Sequence, residues 1–445
     1  MTITWLFLIL NTDAAAVQTK EQTISAGQWR FRVIKLKTQY SIREISLIVL
    51  FYLLLLQNVI QEQVSLVGYL DESVALLGIA VLIFRFITKE NVVLKKTELF
   101  LFCGLLVFLA AGLCGNLIFK YQQLEPTVKD IFACLKFFLA LIAGEAFIRS
   151  EEIEERTNVL VSHSKFAILV LFVMLLLDIL FGTFATNEKR YGLPVVSLMY
   201  NHPTSLAATA VFLLSILSLF YKKENNFFIF LTLIILFFTL RSKAIAAVAV
   251  YLILFLRVLC LRKKIGLVYL LLTIVIVVCL AWDQISYYYF QIVDESARAA
   301  LTQTSFEIFK DYFPLGTGFG TFASNVAAEF YSPVYFKYGL NAIYGLQENE
   351  YMFASDTFWP IIIGQTGFIG TCGYGVALGA IILCVLRSRR YSNVAYMAGL
   401  FILSYLFISS TSESAFCHPM AVPMALLLGG ILGLERKHRY TLVRQ

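Results

Sequence analysis

The chain is built from apolar runs of roughly 17 to 25 residues, the length an α-helix needs to cross about 30 Å of hydrocarbon. Inside a bilayer no water satisfies the backbone, so a crossing segment is helical or belongs to a closed barrel. No strand-length alternation interrupts these runs. The class implied is an all-α polytopic membrane protein. A composition of 59% apolar and 15% charged residues, with mean hydropathy +0.77, excludes an ordinary soluble domain. Spans are expected near 45–60, 73–88, 98–118, 130–148, 165–183, 203–220, 227–240, 244–260, 266–282, 358–384, 394–410 and 420–434.

Twelve spans put both termini on one side, and charge says which. Arg30, Arg32, Lys35, Lys37 and Arg43 precede the first span, and Arg85, Lys89, Lys95 and Lys96 follow the second. Arg149 and Arg156 follow the fourth, Lys222 and Lys223 the sixth, and Arg257, Arg262, Lys263 and Lys264 the eighth. Arg387, Arg389 and Arg390 follow the tenth, and Arg436, Lys437, Arg439 and Arg444 close the chain. Every even-numbered gap is basic, which assigns these gaps and both termini to the cytoplasm. The net charge of +7 is therefore topological, and no nucleic-acid partner is expected. The divisions are a cytoplasmic leader at 1–44, spans one to nine at 45–282, and an aromatic-rich outer loop at 283–356. Spans ten to twelve at 357–435 and a cytoplasmic tail at 436–445 complete the chain. "MTITWLFLIL" is too short to span and lacks a small-residue cleavage site. No internal repeat is visible.

The outer loop carries "YYYF" at 287–290, then Phe306, Phe309, Tyr312, Phe313, Phe319, Phe322, Tyr331, Tyr335, Phe336 and Tyr338. Such rings suit the membrane interface, and they equally suit packing against sugar rings. Basic residues are scarce on this side. Arg190, Arg241 and Arg298 lie just outside three different spans, with Lys243 beside Arg241. Each alone reads as a snorkelling anchor; together their planar forks would hold a pyrophosphate. Lys136 and Glu145, inside span four, require partners, either structural or functional. His202 and His418 each precede a proline that opens an inward helix. Eight scattered cysteines and the absence of H-E-x-x-H or similar spacing give no expectation of a metal or other cofactor. "PLGTGFGTF" at 314–322 reads as a turn of close backbone approach. Asp356 stands at the mouth of span ten, either as a general base or, with Ser355, as a helix cap. Glu348, Glu350 and His202 are rival bases. Gly364, Gly367, Gly370 and Gly373 follow as an i, i+3 ridge for packing.

Several segments, in order, resemble the O-antigen polymerase and ligase family. They are "RYGLP…NHPTSLA" at 190–206, "LTLIILFFTLRSKAIAAVAVYLIL" at 231–254 and "SARAALTQTSFEIFKDYFPLGTGFGTF" at 296–322. The ligase pattern His-[Asn/Ser/Gln]-x9-Gly-x-x-[Gly/Thr/Tyr] is met by Asp356-Thr357, nine residues, Gly367, two residues and Gly370. The resemblance covers about 185 to 375. It implies a GT-C-like architecture (the C class of membrane glycosyltransferases) and metal-independent, inverting glycan transfer. The donor implied is an undecaprenyl-pyrophosphate-linked oligosaccharide at the outer side of the bacterial cytoplasmic membrane. Arg190, Arg241 or Lys243, and Arg298 are the implied pyrophosphate-binding groups, with a flippase and a chain-length regulator as companion proteins. Asp356 where ligases have histidine points to the polymerase branch, which includes O-antigen, capsule and exopolysaccharide polymerases. A ligase of the same family, and a transporter or flippase of lipid-linked oligosaccharide, are the alternatives. The transporter reading calls for repeats or broken helices, neither expected here.

Overall fold

The computed structural model describes residues 40–88, 96–148, 153–184, 188–286 and 296–443. The leader before residue 40, Lys89, Lys95, Arg149, Arg444 and the "YYYF" run lie outside the described residues. The described chain is about 75% helix with almost no strand, an all-α membrane protein. The helices are α1 (Ile42–Ile60), α2 (Leu70–Ile87), α3 (Lys96–Phe119), α4 (Leu124–Ile148) and α5 (Ile153–Phe181). A two-residue hairpin, β1 (Lys189–Arg190) and β2 (Leu193–Pro194), leads to α6 (Pro203–Leu219), α7 (Asn226–Phe238) and α8 (Ser242–Leu254). After α8 a π-helical turn spans Phe255–Cys260. Then come α9 (Leu267–Ser286), α10 (Ala297–Asp311), α11 (Asn325–Glu329), α12 (Pro333–Lys337), α13 (Trp359–Ser388), α14 (Asn393–Ser409) and α15 (Ala421–Val443).

A helix covers each of the twelve apolar runs. By length and apolarity six are able to cross a membrane: Ile42–Ile60, Ser65–Arg85, Lys96–Phe119, Arg156–Phe181, Ser242–Cys260 and Trp359–Ser388. Three more apolar helices are shorter, Pro203–Leu219, Asn393–Ser409 and Ala421–Leu434. The sequence marks several starts. Ser41 and Glu44 form a reciprocal capping box at α1. The fifth run begins earlier than expected, so that His163 lies within α5 and contacts the Tyr52 hydroxyl at 3.0 Å.

Lys136 and Glu145 find their partners on α2. The Lys136 ammonium pairs with Asp71 at 2.6 Å, where Gln57 also donates to Asp71 at 2.9 Å. Glu145 pairs with Arg85 at 3.3 Å. The first pair is buried and the second joins a buried Glu145 to a partly buried Arg85, so these charges tie helices together. Small residues let backbones meet elsewhere. A Cβ added at Gly144 or Gly429 would overlap the carbonyl of Leu426 or Leu141, locking α4 against α15.

The glycine-rich turn at 314–322 is inserted into the bundle between α3, α4 and α13. Asn116 accepts from the Phe319 N–H at 2.7 Å and donates to the Phe319 carbonyl at 2.9 Å. Asp130 accepts from the Gly320 N–H at 2.9 Å. Helix α13 is broken at Gly367 (φ 57°, ψ −155°), a backbone state open essentially to glycine alone. The turn satisfies the carbonyls freed by the break: Thr317 N–H donates to Gly364 at 3.0 Å and Gly318 N–H to Gln365 at 2.8 Å. Two expectations need correction. No broken helix was expected, and one is present. The ridge is also not for helix packing alone. Gly373 does face Gly104 of α3, but Gly364 faces Phe322 and Gly367 faces Gly316, both in the turn. Phe319, Phe322 and Tyr335 are fully buried, so these loop aromatics are core rather than a sugar platform.

Candidate functional site

A cavity of about 490 Å³ opens beside the long loop, within the usual range for small-ligand sites of roughly 300–1,000 Å³. Its lining includes Arg190, His202, Arg241, Lys243, Arg298 and Asp356. Six residues proposed from separate parts of the sequence therefore meet around one space. Glu348 and Glu350 are absent from the lining. They sit exposed in the turn closed by the Gln347–Glu350 bridge, which weakens their candidacy as bases. Sequence reading missed Glu188, Glu413 and the pocket position of His418. The available signal was an acid two residues before Arg190 and another in a short polar loop between two apolar runs.

Local structure sets each group. Arg190 ends β1, and the hairpin reverses at Tyr191 (φ 52°) and Gly192 (φ 77°). Two successive positive φ values are what a twist-matched two-residue turn requires, and Gly192 supplies one without strain. Arg241 occupies the N-cap of α8, two residues before Lys243. Arg298 is the second residue of α10, after the Ser296 cap. His202 caps α6, its Nδ1 accepting from Thr204 N–H at 3.2 Å, with Pro203 opening the helix. The helix-entry reading of His202 is thus correct, and the same ring faces the pocket, 3.3 Å from Arg241. Asp356 does not cap α13: Phe358 holds the N-cap position, without a side-chain bond. Pro360 falls in the first turn, where its missing N–H costs nothing.

Four helices, α6, α8, α10 and α15, begin at or beside this cavity, so their positive dipole ends converge on it. The side-chain charges are largely matched, by Asp356 and Glu413 in the lining and by Glu188 just behind its two arginines. Glu188 accepts from Arg190 Nε and from Arg241 Nη2, both at 2.8 Å. Arg298 donates to Asp356 at 2.9 Å, and Lys243 pairs with Glu413 at 2.5 Å. Burial pushes the Asp356 carboxyl above the ordinary carboxylate range, and the nearby Arg298 only partly offsets it. Burial acts the same way on Glu188 and Glu413, but there the cations prevail and both carboxyls are lowered. Burial, reinforced by Arg241 and Lys243, lowers the His202 imidazole, so it is neutral at pH 7.

Outside the cavity lining, Phe358 contacts Tyr374 and Phe416, and Tyr374 contacts Phe108 and Phe138. This buried aromatic cluster joins α3, α4 and α13. The arrangement can bind an anion at converging cations and can present a carboxylate of raised basicity beside it. Comparisons with protein-family models, curated proteins and solved structures find no match to this chain.

Proposed function

We propose that the chain is a polysaccharide polymerase acting on undecaprenyl-pyrophosphate-linked oligosaccharide at the outer face of the bacterial cytoplasmic membrane. In this reading the twelve apolar helices all cross the bilayer in a GT-C-like arrangement, with both termini cytoplasmic. The observation that carries it is the convergence of Arg190, Arg241, Lys243 and Arg298, from three separate segments, on one cavity that also holds Asp356. Asp356 takes the proton from an acceptor sugar hydroxyl, whose oxygen attacks the anomeric carbon of the donor. The donor C–O bond breaks with its electron pair leaving on the pyrophosphate, and Arg190 and Arg241 receive the developing charge. Arg298, paired with Asp356, orients the base and keeps it available as a carboxylate. Lipid tails remain in the bilayer while the glycans occupy the loop side. No metal is required in this scheme, because the cations and helix termini supply the positive field.

The break at Gly367 is the observation favouring a transporter or flippase. Its freed carbonyls are already satisfied by the protein's own turn, which argues against their use in transport. A deletion strain separates the readings. Loss of a polymerase leaves single lipid-linked repeat units on the outer face. Units trapped on the cytoplasmic face would refute the polymerase and establish the flippase.

A further inference from the structure

We propose that Glu188 is a displaceable stand-in for donor phosphate, holding Arg190 and Arg241 together until a pyrophosphate takes its place. The inference rests on the anion-binding reading of the cavity. One carboxylate oxygen receives Arg190 Nε and the other receives Arg241 Nη2, each at 2.8 Å. Two guanidiniums gathered on two oxygens of one anion is the geometry that phosphate oxygens would demand. The charge count makes displacement necessary. Arg190, Arg241, Lys243 and Arg298 face Glu188, Asp356 and Glu413, so the four cations meet three carboxylates. A multiply charged pyrophosphate entering unchanged surroundings would meet almost no net attraction from side chains.

Glu188 is the carboxylate built to leave. Its side chain is 40% exposed, against 28% for Asp356 and 21% for Glu413. Its departure removes a carboxylate contact from two cations, whereas loss of either other carboxylate removes one from a single cation. The backbone need not move, because the Glu188 carbonyl accepts from Val195 N–H at 3.0 Å and stays fixed to the hairpin. Only the side chain swings out. The empty site is thereby kept ordered and unattractive to stray monovalent anions, and a ligand must engage both arginines to win.

The test is isothermal titration of inorganic pyrophosphate into the full-length protein in detergent with EDTA present. Wild type, Glu188→Gln, Glu188→Ala and the control Glu329→Gln are compared. Glu329 pairs with Lys129 at 3.7 Å away from the cavity. Two partly exposed ion pairs, each worth at most about fivefold, compete with the ligand in the wild type. Both Glu188 variants should therefore bind about tenfold more tightly, with the control unchanged. Equal or weaker binding by the variants would overturn the proposal and make Glu188 a scaffold for the arginines. Failure of every protein to bind pyrophosphate would overturn it together with the anion reading. Tighter binding by the variants in a protein that does not polymerise would leave this inference standing and remove only the proposed function.

Discussion

The buried Lys136–Asp71 pair offers a quantitative test of whether intramembrane charge serves structure or substrate. The two side chains are 7% and 2% exposed and 2.6 Å apart, and Gln57 completes the carboxylate's bonding at 2.9 Å. Replacing Asp71 with Asn keeps the shape and the capacity to bond Gln57, but leaves the Lys136 ammonium without a counter-charge. Breaking such a pair by removing one partner costs about 3–5 kcal/mol, whereas replacing both ends is often near neutral. Asp71→Asn and Lys136→Met should each cost about that amount, and the double variant should recover most of it. The coupling energy should then exceed about 2 kcal/mol, well above that of exposed pairs. The assay is reversible unfolding in mixed detergent micelles, run as a double-mutant cycle beside a polymerisation assay. If the pair is structural, the charge-free double variant is folded and active. A single Asp71→Asn variant of wild-type stability, or an inactive but stable double variant, would refute this assignment.

Three other outcomes follow from the geometry. Gly367→Ala should destabilise by at least about 1–3 kcal/mol from its backbone alone. Its added Cβ would also meet Gly316 N at 2.5 Å; Gly375→Ala, with open space around it, should be neutral or slightly stabilising, and equal stabilities would contradict the break. Because the Asp356 carboxyl is raised, activity should be present above that elevated value and fall as pH drops through it. Arg298→Gln removes a group that lowers it, so the acid limb should move to higher pH; Asp356→Asn should lose at least about tenfold in turnover, and an unmoved limb with an active Asn variant would reject Asp356 as the base. Cysteines placed at 337 and at 387–390 should label from outside intact cells only at the first site, by the charge asymmetry; the reverse pattern would invert the topology.

How much was legible beforehand depends on the kind of signal. Helix positions followed from apolar run length, a one-dimensional property that the bilayer makes decisive. His202 and Pro203 could be read as a helix start because capping is local. The meeting of Arg190, Arg241 and Arg298 was inferable only through family resemblance and the shared side of the membrane. Their carboxylate partners were less legible: Glu188 stands two residues from Arg190, but its bond to Arg241 spans 53 residues and that of Arg298 to Asp356 spans 58. The break at Gly367 was hidden for a similar reason. Glycines three apart are consistent with a packing ridge, and only the inserted turn, anchored by Asn116 and Asp130, makes one of them a break. Lone polar residues in apolar runs were the available clue to that anchoring.

The most direct measurement is polymer length made by Arg190→Lys and Arg241→Lys proteins of verified level and folding. Lysine keeps the charge and snorkels as well as arginine, but it lacks the fork that holds two phosphate oxygens. Losing one preorganised donor to a developing anion costs about 10²–10³ in rate. The account predicts that both variants yield single repeat units or very short chains, while Lys310→Ala, an exposed residue outside the cavity, gives the wild-type ladder. Wild-type ladders from both lysine variants would contradict it and leave the two arginines as membrane anchors.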